Sequence, residues 1–127
     1  MPNIQIKRIY EPANRQDGCR VLVDRIWPRG IKKDDASINL WLKEIAPSTE
    51  LRKWYSHDPE KWKKFKTKFF KELDERKELV EVLIKNAKKQ KLTLLYSAKE
   101  ERFNNAAALK EYIEKNYYKH HLIRKER

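Results

Sequence analysis

The chain has 127 residues, of which 39% are hydrophobic and 39% charged, and its 31 lysines and arginines against 19 acids give a net charge of +12. This length fits a single domain, residues 1–127, and the four tryptophans, six tyrosines and four phenylalanines exclude a disordered chain. No apolar run reaches the roughly 18 residues of a membrane span, and two glycines are too few for a Walker loop or a dinucleotide fingerprint.

The single cysteine, Cys19, cannot form a disulfide within the chain, and the first ten residues lack the apolar segment of a signal peptide. Both features predict a reducing, cytoplasmic location. We therefore expect no membrane partner, and the composition carries no signal for an oligomeric state.

Two short strands are predicted near the N-terminus. Ile4 and Ile6 alternate with polar residues, which is typical of a half-buried strand. After the turn signal Asp17-Gly18, residues 21–23 form an apolar run that suits a strand covered on both faces.

A third strand and a first helix are predicted next. Apolar side chains alternate through residues 38–42, which favours a strand; the alternative is a helix with Trp41 and Ile45 on one face. Ser48 is a suitable N-cap for a helix that continues to Tyr55.

Two further helices follow in sequence. Asp58 as N-cap and Pro59 at the first position predict a strong helix start. The first of these helices carries an apolar stripe made of Trp62, Phe65, Phe69 and Leu73. The second is expected to bury Leu79, Val82, Leu83 and Ala87.

The clearest buried strand is Leu92–Tyr96. A polar loop over residues 97–103 comes after it, and Asn104 can cap the last helix. The inner face of that helix is predicted to consist of Leu109, Tyr112, Ile113, Asn116 and Tyr117.

This alternation of strands and helices predicts a three-layer α/β fold in which helices flank a small, mostly parallel sheet. Sheets of this kind bind ligands at the carboxyl ends of their strands. Two predicted strands end in polar residues, one at Asp24-Arg25 and the other at residues 97–105. The sequence therefore places a candidate site where these two strands end.

Residues 17–30, which read DGCRVLVDRIWPRG, resemble the YeaO-like family, a domain of unknown function numbered 488. Residues 41–54 and the strand Leu92–Tyr96 together with residues 104–106 resemble the same family, so the resemblance covers nearly the whole chain. It implies a three-layer α/β domain without an established activity, and it assigns no catalytic roles. Cys19 departs from the family pattern, which argues against a thiol mechanism.

The candidate ligand contacts are Asp24, Arg25, Arg29, Asn104 and Asn105. Arginine offers a planar fork to phosphate or carboxylate, and free backbone N–H groups at a helix start favour an anion. The alternative for Asp24 and Arg25 is an ion pair that holds the loop at residues 27–30. The alternatives for Arg29 and Asn104 are a solvated side chain and a plain helix cap.

Other reactive residue types have weaker functional interpretations. Ser97 lacks an evident base, and Cys19 would be reactive only if Arg20 lowered its pKa, so an incidental cysteine is favoured. A proton-transfer role is a hypothesis for His57. No set of His, Cys and carboxylate residues has the spacing of metal ligands, and we expect neither a metal nor a cofactor.

The leading hypothesis is a protein that binds a compact anionic ligand, either a phosphate, a carboxylate or a nucleotide, with catalysis left open. The alternatives are a structural or interaction domain and a nucleic-acid-binding module that ignores base sequence. No helix-turn-helix, RNP or zinc-finger motif supports the module. Its evidence is the net charge and the basic residues Lys61, Lys63, Lys64, Lys66, Lys68, Lys71, Lys85, Lys88, Lys89, Lys91, Arg124, Lys125 and Arg127.

Overall fold

A computed structural model describes the backbone of residues 3–125 and the side chains of residues 3–116. Within these residues the strands are β1 (Ile4–Arg8), β2 (Cys19–Leu22), β3 (Leu40–Trp41) and β4 (Leu92–Tyr96). The α-helices are α1 (Thr49–Tyr55), α2 (Trp62–Asp74), α3 (Lys77–Lys89) and α4 (Asn105–Lys125). The predictions for the side chains of Tyr117, Arg124, Lys125 and Arg127 fall outside the described residues.

The strands form one parallel sheet in the order β1-β4-β2-β3. β4 pairs with β1 along its whole length, and Val21 of β2 lies between Leu94 of β4 and Leu40 of β3. The expected three-layer α/β fold with a small parallel sheet is therefore confirmed.

The main core lies between the sheet and the helices. Val21 and Leu94 point into it and are fully buried, and the same buried cluster contains residues of all four helices. Aliphatic and aromatic side chains fill it, so its burial is the main contribution to the stability of the fold.

The opposite face of the sheet is covered by an irregular layer. Leu22 and Leu95 are fully buried there beneath side chains from the loop that joins β2 to β3. Trp27 and Trp41 meet edge to face in this layer with ring centroids 5.2 Å apart. The chain that leaves β2 therefore runs on the side of the sheet away from the main core.

The predicted helix starts are confirmed. The hydroxyl of Ser48 accepts a hydrogen bond from the Leu51 N–H at 3.1 Å and caps α1. The carboxylate of Asp58 accepts one from the Glu60 N–H at 3.0 Å. Pro59 opens a 3-10 turn that leads into α2, so the regular α-helix begins at Trp62.

Two details differ from the sequence predictions. The strand expected over residues 38–42 is confined to Leu40–Trp41, because Ile38 packs into the irregular layer and Leu42 starts a 3-10 turn. Val82 is 37% exposed and so is not on the inner face of α3. Val80 and Ile84 are buried there, because the apolar run supports two helical phases and packing selects one of them.

No helix in residues 3–125 is both long enough and apolar enough to cross a membrane.

Candidate functional site

The candidate site lies where β2 and β4 end side by side. The chain leaves β2 toward the irregular layer and leaves β4 toward α4, on the other face of the sheet. Divergent connections between neighbouring parallel strands open a crevice at their carboxyl ends, where such folds bind ligands. The crevice is a cleft of about 530 Å³ lined by residues that follow both strands and by residues of α1.

Asp24 lines this cleft and ties three segments together. Its Oδ2 accepts hydrogen bonds from the backbone N–H of Ser97 at 2.9 Å and from the Ser97 hydroxyl at 2.6 Å. Asn105 donates from Nδ2 to Asp24 Oδ1 at 3.2 Å and to the Val23 carbonyl at 3.0 Å. The carboxylate therefore holds the ends of β2 and β4 against the first turn of α4.

Arg25 holds a different segment. Its guanidinium donates to the carbonyls of Ala46 at 3.1 Å and Pro47 at 3.4 Å, just before α1. It also lies 3.7 Å from Glu44, a side chain that is 66% exposed, so this ion pair adds little. The predicted alternative of an Asp24–Arg25 pair is thus wrong, since each residue positions a separate wall of the cleft.

Asn104 is a helix cap. Its Oδ1 accepts a hydrogen bond from the Ala107 N–H at 2.8 Å, and its Nδ2 donates to the Glu100 carbonyl at 2.8 Å. Both polar atoms of this buried side chain are engaged, as a buried amide requires. The capping interpretation of Asn104 is therefore confirmed.

Arg29 lies apart from the other candidates. Its side chain is exposed and does not line the cleft, whereas Asp24, Arg25, Asn104 and Asn105 all do. Its carbonyl accepts a hydrogen bond from the Tyr10 hydroxyl at 2.8 Å. The structure thus brings four of the five candidates together, and their role as ligand contacts stays a prediction.

Sequence reasoning missed the wall that α1 contributes. Thr49, Arg52, Lys53 and Ser56 all line the cleft and recur at the spacing of one helical face. The side chains of Arg52 and Lys53 are exposed and make no hydrogen bond or ion pair with the groups that the structure describes. The polar stripe was visible in the sequence, but most surface helices carry one, so it did not indicate a site.

The chain after α1 turns sharply and brings His57 to the rim of the cleft. Ser56 and His57 adopt φ values of 45° and 55°, a left-handed conformation that is uncommon for residues other than glycine. His57 lines the cleft beside Tyr55, with their ring centroids 6.3 Å apart. A sequence without glycine at these positions gives no signal for such a turn.

Aromatic side chains of α1, α2 and the loop before α4 also line the cleft. The ring of Tyr55 stacks on Phe65 with centroids 4.4 Å apart, and its hydroxyl donates to the Phe103 carbonyl at 3.1 Å. Burial raises the pKa of the Tyr55 hydroxyl, and the nearby charges of Glu100 and Asp58 add to the shift. Tyr55 is therefore a neutral hydrogen-bond donor at physiological pH.

Cys19 lies at the start of β2, at the other end of the strand from the cleft. Burial raises the pKa of its thiol, and its Sγ lies 3.8 Å from the Asn86 Oδ1. The guanidinium of Arg20 is occupied by Asp17 and by two carbonyls. The hypothesis that Arg20 lowers the pKa of this thiol is therefore wrong.

Among the described residues, no group of three or more His, Cys, Asp or Glu side chains could hold a metal ion.

The fold and the site define a small parallel α/β domain with a cationic cleft at its strand ends. The chain belongs to the family of domain of unknown function 488, since residues 3–126 match the family model DUF488-N3i, described as "Inactive DUF488-N3 subclade". The resemblance drawn from the sequence is thus confirmed.

Relatives in two bacteria are similar along much of the chain. The uncharacterised protein YeaO of Escherichia coli strain K12 is 48% identical over 111 residues, which are 87% of this chain and 96% of that protein. An uncharacterised protein of Mycobacterium tuberculosis strain H37Rv is 47% identical over 79 residues, 62% of this chain and 67% of the relative. No solved structure matches the chain significantly.

Proposed function

We propose that this protein binds a small anionic ligand in the cleft at the ends of β2 and β4. The observation that carries the proposal is the pair of unpartnered cations on α1, Arg52 and Lys53, which line the same cleft as Arg25. Asp24 is the only acid among the described residues that line the cleft, so the cations outnumber the acids there. A concave site with this excess attracts anions and strengthens their binding by partly excluding water.

The roles of the lining residues follow from their existing hydrogen bonds. Arg52 and Lys53 are free to contact the anion. Arg25 uses part of its five-donor fork on the Ala46 and Pro47 carbonyls and offers the rest. Asp24 and Asn104 act as positioning residues, because a carboxylate repels an anion and the amide of Asn104 is fully engaged.

Asn105 is the remaining predicted contact. Its Nδ2 donates within the protein, which leaves its Oδ1 as the acceptor that would meet a neutral part of the ligand. The sequence-based proposal is retained for Arg25 and Asn105, and Arg52 and Lys53 are added to it.

Binding without turnover fits the site better than catalysis. The matching subclade model carries the word inactive in its description. The hydroxyl of Ser97 is already committed to Asp24, which also accepts the Ser97 N–H, an arrangement that ties two loops together. We therefore propose a binding protein, with an enzyme as the less favoured form.

The test compares two arginine variants by thermal unfolding in the presence of inorganic phosphate, citrate or adenosine monophosphate. A ligand at 100 times its Kd stabilises the fold by about 2.7 kcal/mol, which raises the Tm of a domain of this size by roughly 10 °C. We expect at least one anion class to raise the Tm of the unaltered protein and of Arg29→Ala. We expect Arg52→Ala to lose most of that shift.

Arg29→Ala is the matched control, because it removes the same charge from an exposed position outside the cleft. An equal loss of the shift in both variants would mean that the anion responds to net charge and not to the cleft. If no anion class raises the Tm of the unaltered protein, the proposed function is wrong and a structural or interaction role takes its place.

Nucleic-acid binding remains the second hypothesis, and the packing of α2, the helix richest in lysine, adds no support to it. Phe65 and Phe69, which lie between lysines in the sequence of α2, are buried and cannot stack on bases. Lys66 is paired with Glu111 at 3.0 Å, and Lys61 donates to the Trp54 carbonyl at 2.9 Å. Lys61 and Lys66 are thus already engaged within the protein.

A further inference from the structure

We infer that the ligand of this cleft joins a flat apolar ring to its anionic group, with the ring lying inside the cleft and the anion at α1. The inference rests on the proposed function, since it specifies the chemical class of the ligand bound at the same site. Three features of the cleft carry it, namely its size, its apolar walls and the position of its charges.

The cleft is too large for an inorganic anion. Its volume of about 530 Å³ equals the space of roughly eighteen liquid water molecules at about 30 Å³ each. A phosphate ion has five heavy atoms and would leave most of that space to water. Pockets of a few hundred Å³ instead suit organic ligands that bury most of their surface.

Apolar side chains from several segments line the cleft. Ile26 and Pro47 line it from the segments that follow β2 and β3. Tyr55, Phe65 and Phe103 contribute the aromatic wall from α1, α2 and the loop before α4. Aromatic walls favour stacked or edge-on contact with another ring, which adds to the hydrophobic gain.

Ile26 is an exposed apolar residue that lines the cleft. It is 64% exposed, the highest value among the exposed large hydrophobic residues of the described chain. A single exposed apolar side chain is ordinary on a protein surface, but this one lines a cleft that already has aromatic walls. A ring bound in the cleft would cover Ile26 and remove its apolar surface from water.

The charges set the orientation of the ligand. Asp24 lies at the strand ends and repels an anionic group, whereas Arg52 and Lys53 project from α1. The anion therefore faces α1, and the neutral ring faces the strand ends and the aromatic wall. This arrangement separates the two recognition elements, so that they can be altered one at a time.

The experiment measures Kd by isothermal titration calorimetry for three phosphates, namely inorganic phosphate, n-butyl phosphate and 1-naphthyl phosphate. We expect 1-naphthyl phosphate to bind at least tenfold more tightly than inorganic phosphate, with n-butyl phosphate between them. Arg52→Ala should weaken all three. Ile26→Ser should weaken 1-naphthyl phosphate about threefold or more and leave inorganic phosphate unchanged.

Val82→Ser is the matched control, because it places the same polar side chain at another exposed apolar position, on α3 outside the cleft. It should change none of the three Kd values. Ile26 is exposed, so its replacement should not disturb the fold, and Phe103→Leu provides a second test of the aromatic wall.

The outcomes separate this inference from the proposed function. Equal affinity for inorganic and 1-naphthyl phosphate, with both lost in Arg52→Ala, would overturn the inference and leave the anion site standing. Equal affinity for n-butyl phosphate and 1-naphthyl phosphate would overturn the proposal that the ligand carries a flat ring. If both Ile26→Ser and Phe103→Leu still prefer 1-naphthyl phosphate over inorganic phosphate, the ring binds elsewhere and the inference is overturned as well. If neither phosphate nor its esters bind, the inference fails, and the proposed function fails with it only if citrate and adenosine monophosphate also leave the Tm unchanged.

Discussion

Asp17 is a carboxylate buried on the face of the sheet away from the helices, and its charge is balanced by two cations. Lys7 Nζ lies 3.0 Å from its Oδ2 and Arg20 Nη1 lies 2.5 Å from the same atom. The Asn14 N–H donates to it at 3.0 Å, and Gln5 donates to Oδ1 at 3.0 Å. The sequence showed only a turn at this position, because the cations come from β1 and β2 and meet only in the fold.

This cluster predicts how stability depends on pH. Burial alone raises the pKa of Asp17, but hydrogen bonds from Lys7, Asn14 and Arg20 outweigh burial and hold the pKa below its usual range. A carboxyl group with a lowered pKa stabilises the fold above its unfolded pKa of about 3.9, and this contribution is lost as pH falls through the folded value. We expect the free energy of unfolding, measured with urea, to decline below about pH 4 in part for this reason.

The variant Asp17→Asn isolates that contribution. It leaves the buried Arg20 and the partly buried Lys7 without their counter-charge, and breaking a buried pair in this way costs about 3–5 kcal/mol. Its stability should therefore be lower at neutral pH and should fall less steeply between pH 5 and pH 3. Asp34→Asn, at an exposed position, is the control; a loss as small as that of the control would contradict the account of Asp17.

Helix α2 contributes much of the core. Phe69 is fully buried in the middle of this helix and contacts Phe65, with ring centroids 5.7 Å apart. Replacing a buried aromatic side chain by alanine costs about 3–5 kcal/mol through lost transfer energy and the cavity it leaves. We expect Phe69→Ala to lose that much in urea unfolding, and exposed Lys64→Ala to stay within about 0.5 kcal/mol. Similar losses in both variants would mean that the inner face of α2 is assigned wrongly.

Elements with local signals were predictable from the sequence. Ser48 and Asp58 cap their helices because a cap depends on a few adjacent residues. The inner face of α3 was predicted correctly for Leu83 and Ala87 and wrongly for Val82, since residues 79–84 contain apolar side chains on nearly every side of the helix. β3 was predicted too long, because the packing of Ile38 against the far face of the sheet is not a local property.

The candidate site was predictable only in part, for the same reason. Asp24 and Asn105 were found because they follow apolar strand runs, and the ends of parallel strands converge. Arg52 and Lys53 lie on a short helix whose docking at the strand ends is set by tertiary contacts, including those of Arg25 with the carbonyls before it. Arg29 was included because it is near in sequence, and the loop carries it away from the cleft.

The order of the strands in the sheet is the feature least accessible to sequence reasoning. β4 enters the sheet between β1 and β2, although about seventy residues separate it from β2. No composition or periodicity specifies this pairing, because it depends on which edges remain open when the helices pack. Yet the insertion is what places the ends of β2 and β4 side by side and creates the cleft.

Net charge is also a property of the whole molecule, and it determines how the protein responds to polyanions. A protein at +12 attracts any polyanion at low salt, and each phosphate neutralised on duplex DNA contributes roughly 0.9 to the slope of log affinity against log salt. The lysines are spread over α2, α3 and the segments beside them, and Phe65 and Phe69 among them are buried. The half-buried rings of Trp54 and Trp62 are already contacted by Lys61, Lys66 and Lys68, so we expect no stacking platform to supplement the charge. We expect labelled duplex and single-stranded DNA to bind at low salt with similar affinity and to dissociate at physiological salt.

The measurement is a fluorescence anisotropy titration at both salt concentrations. Replacing both lysines, Lys63→Glu and Lys64→Glu, should lower the affinity at low salt, and Arg52→Ala should have a smaller effect. Micromolar or tighter binding that persists at physiological salt would contradict this expectation and would place nucleic-acid binding ahead of the small anionic ligand, because charge alone does not survive that degree of screening.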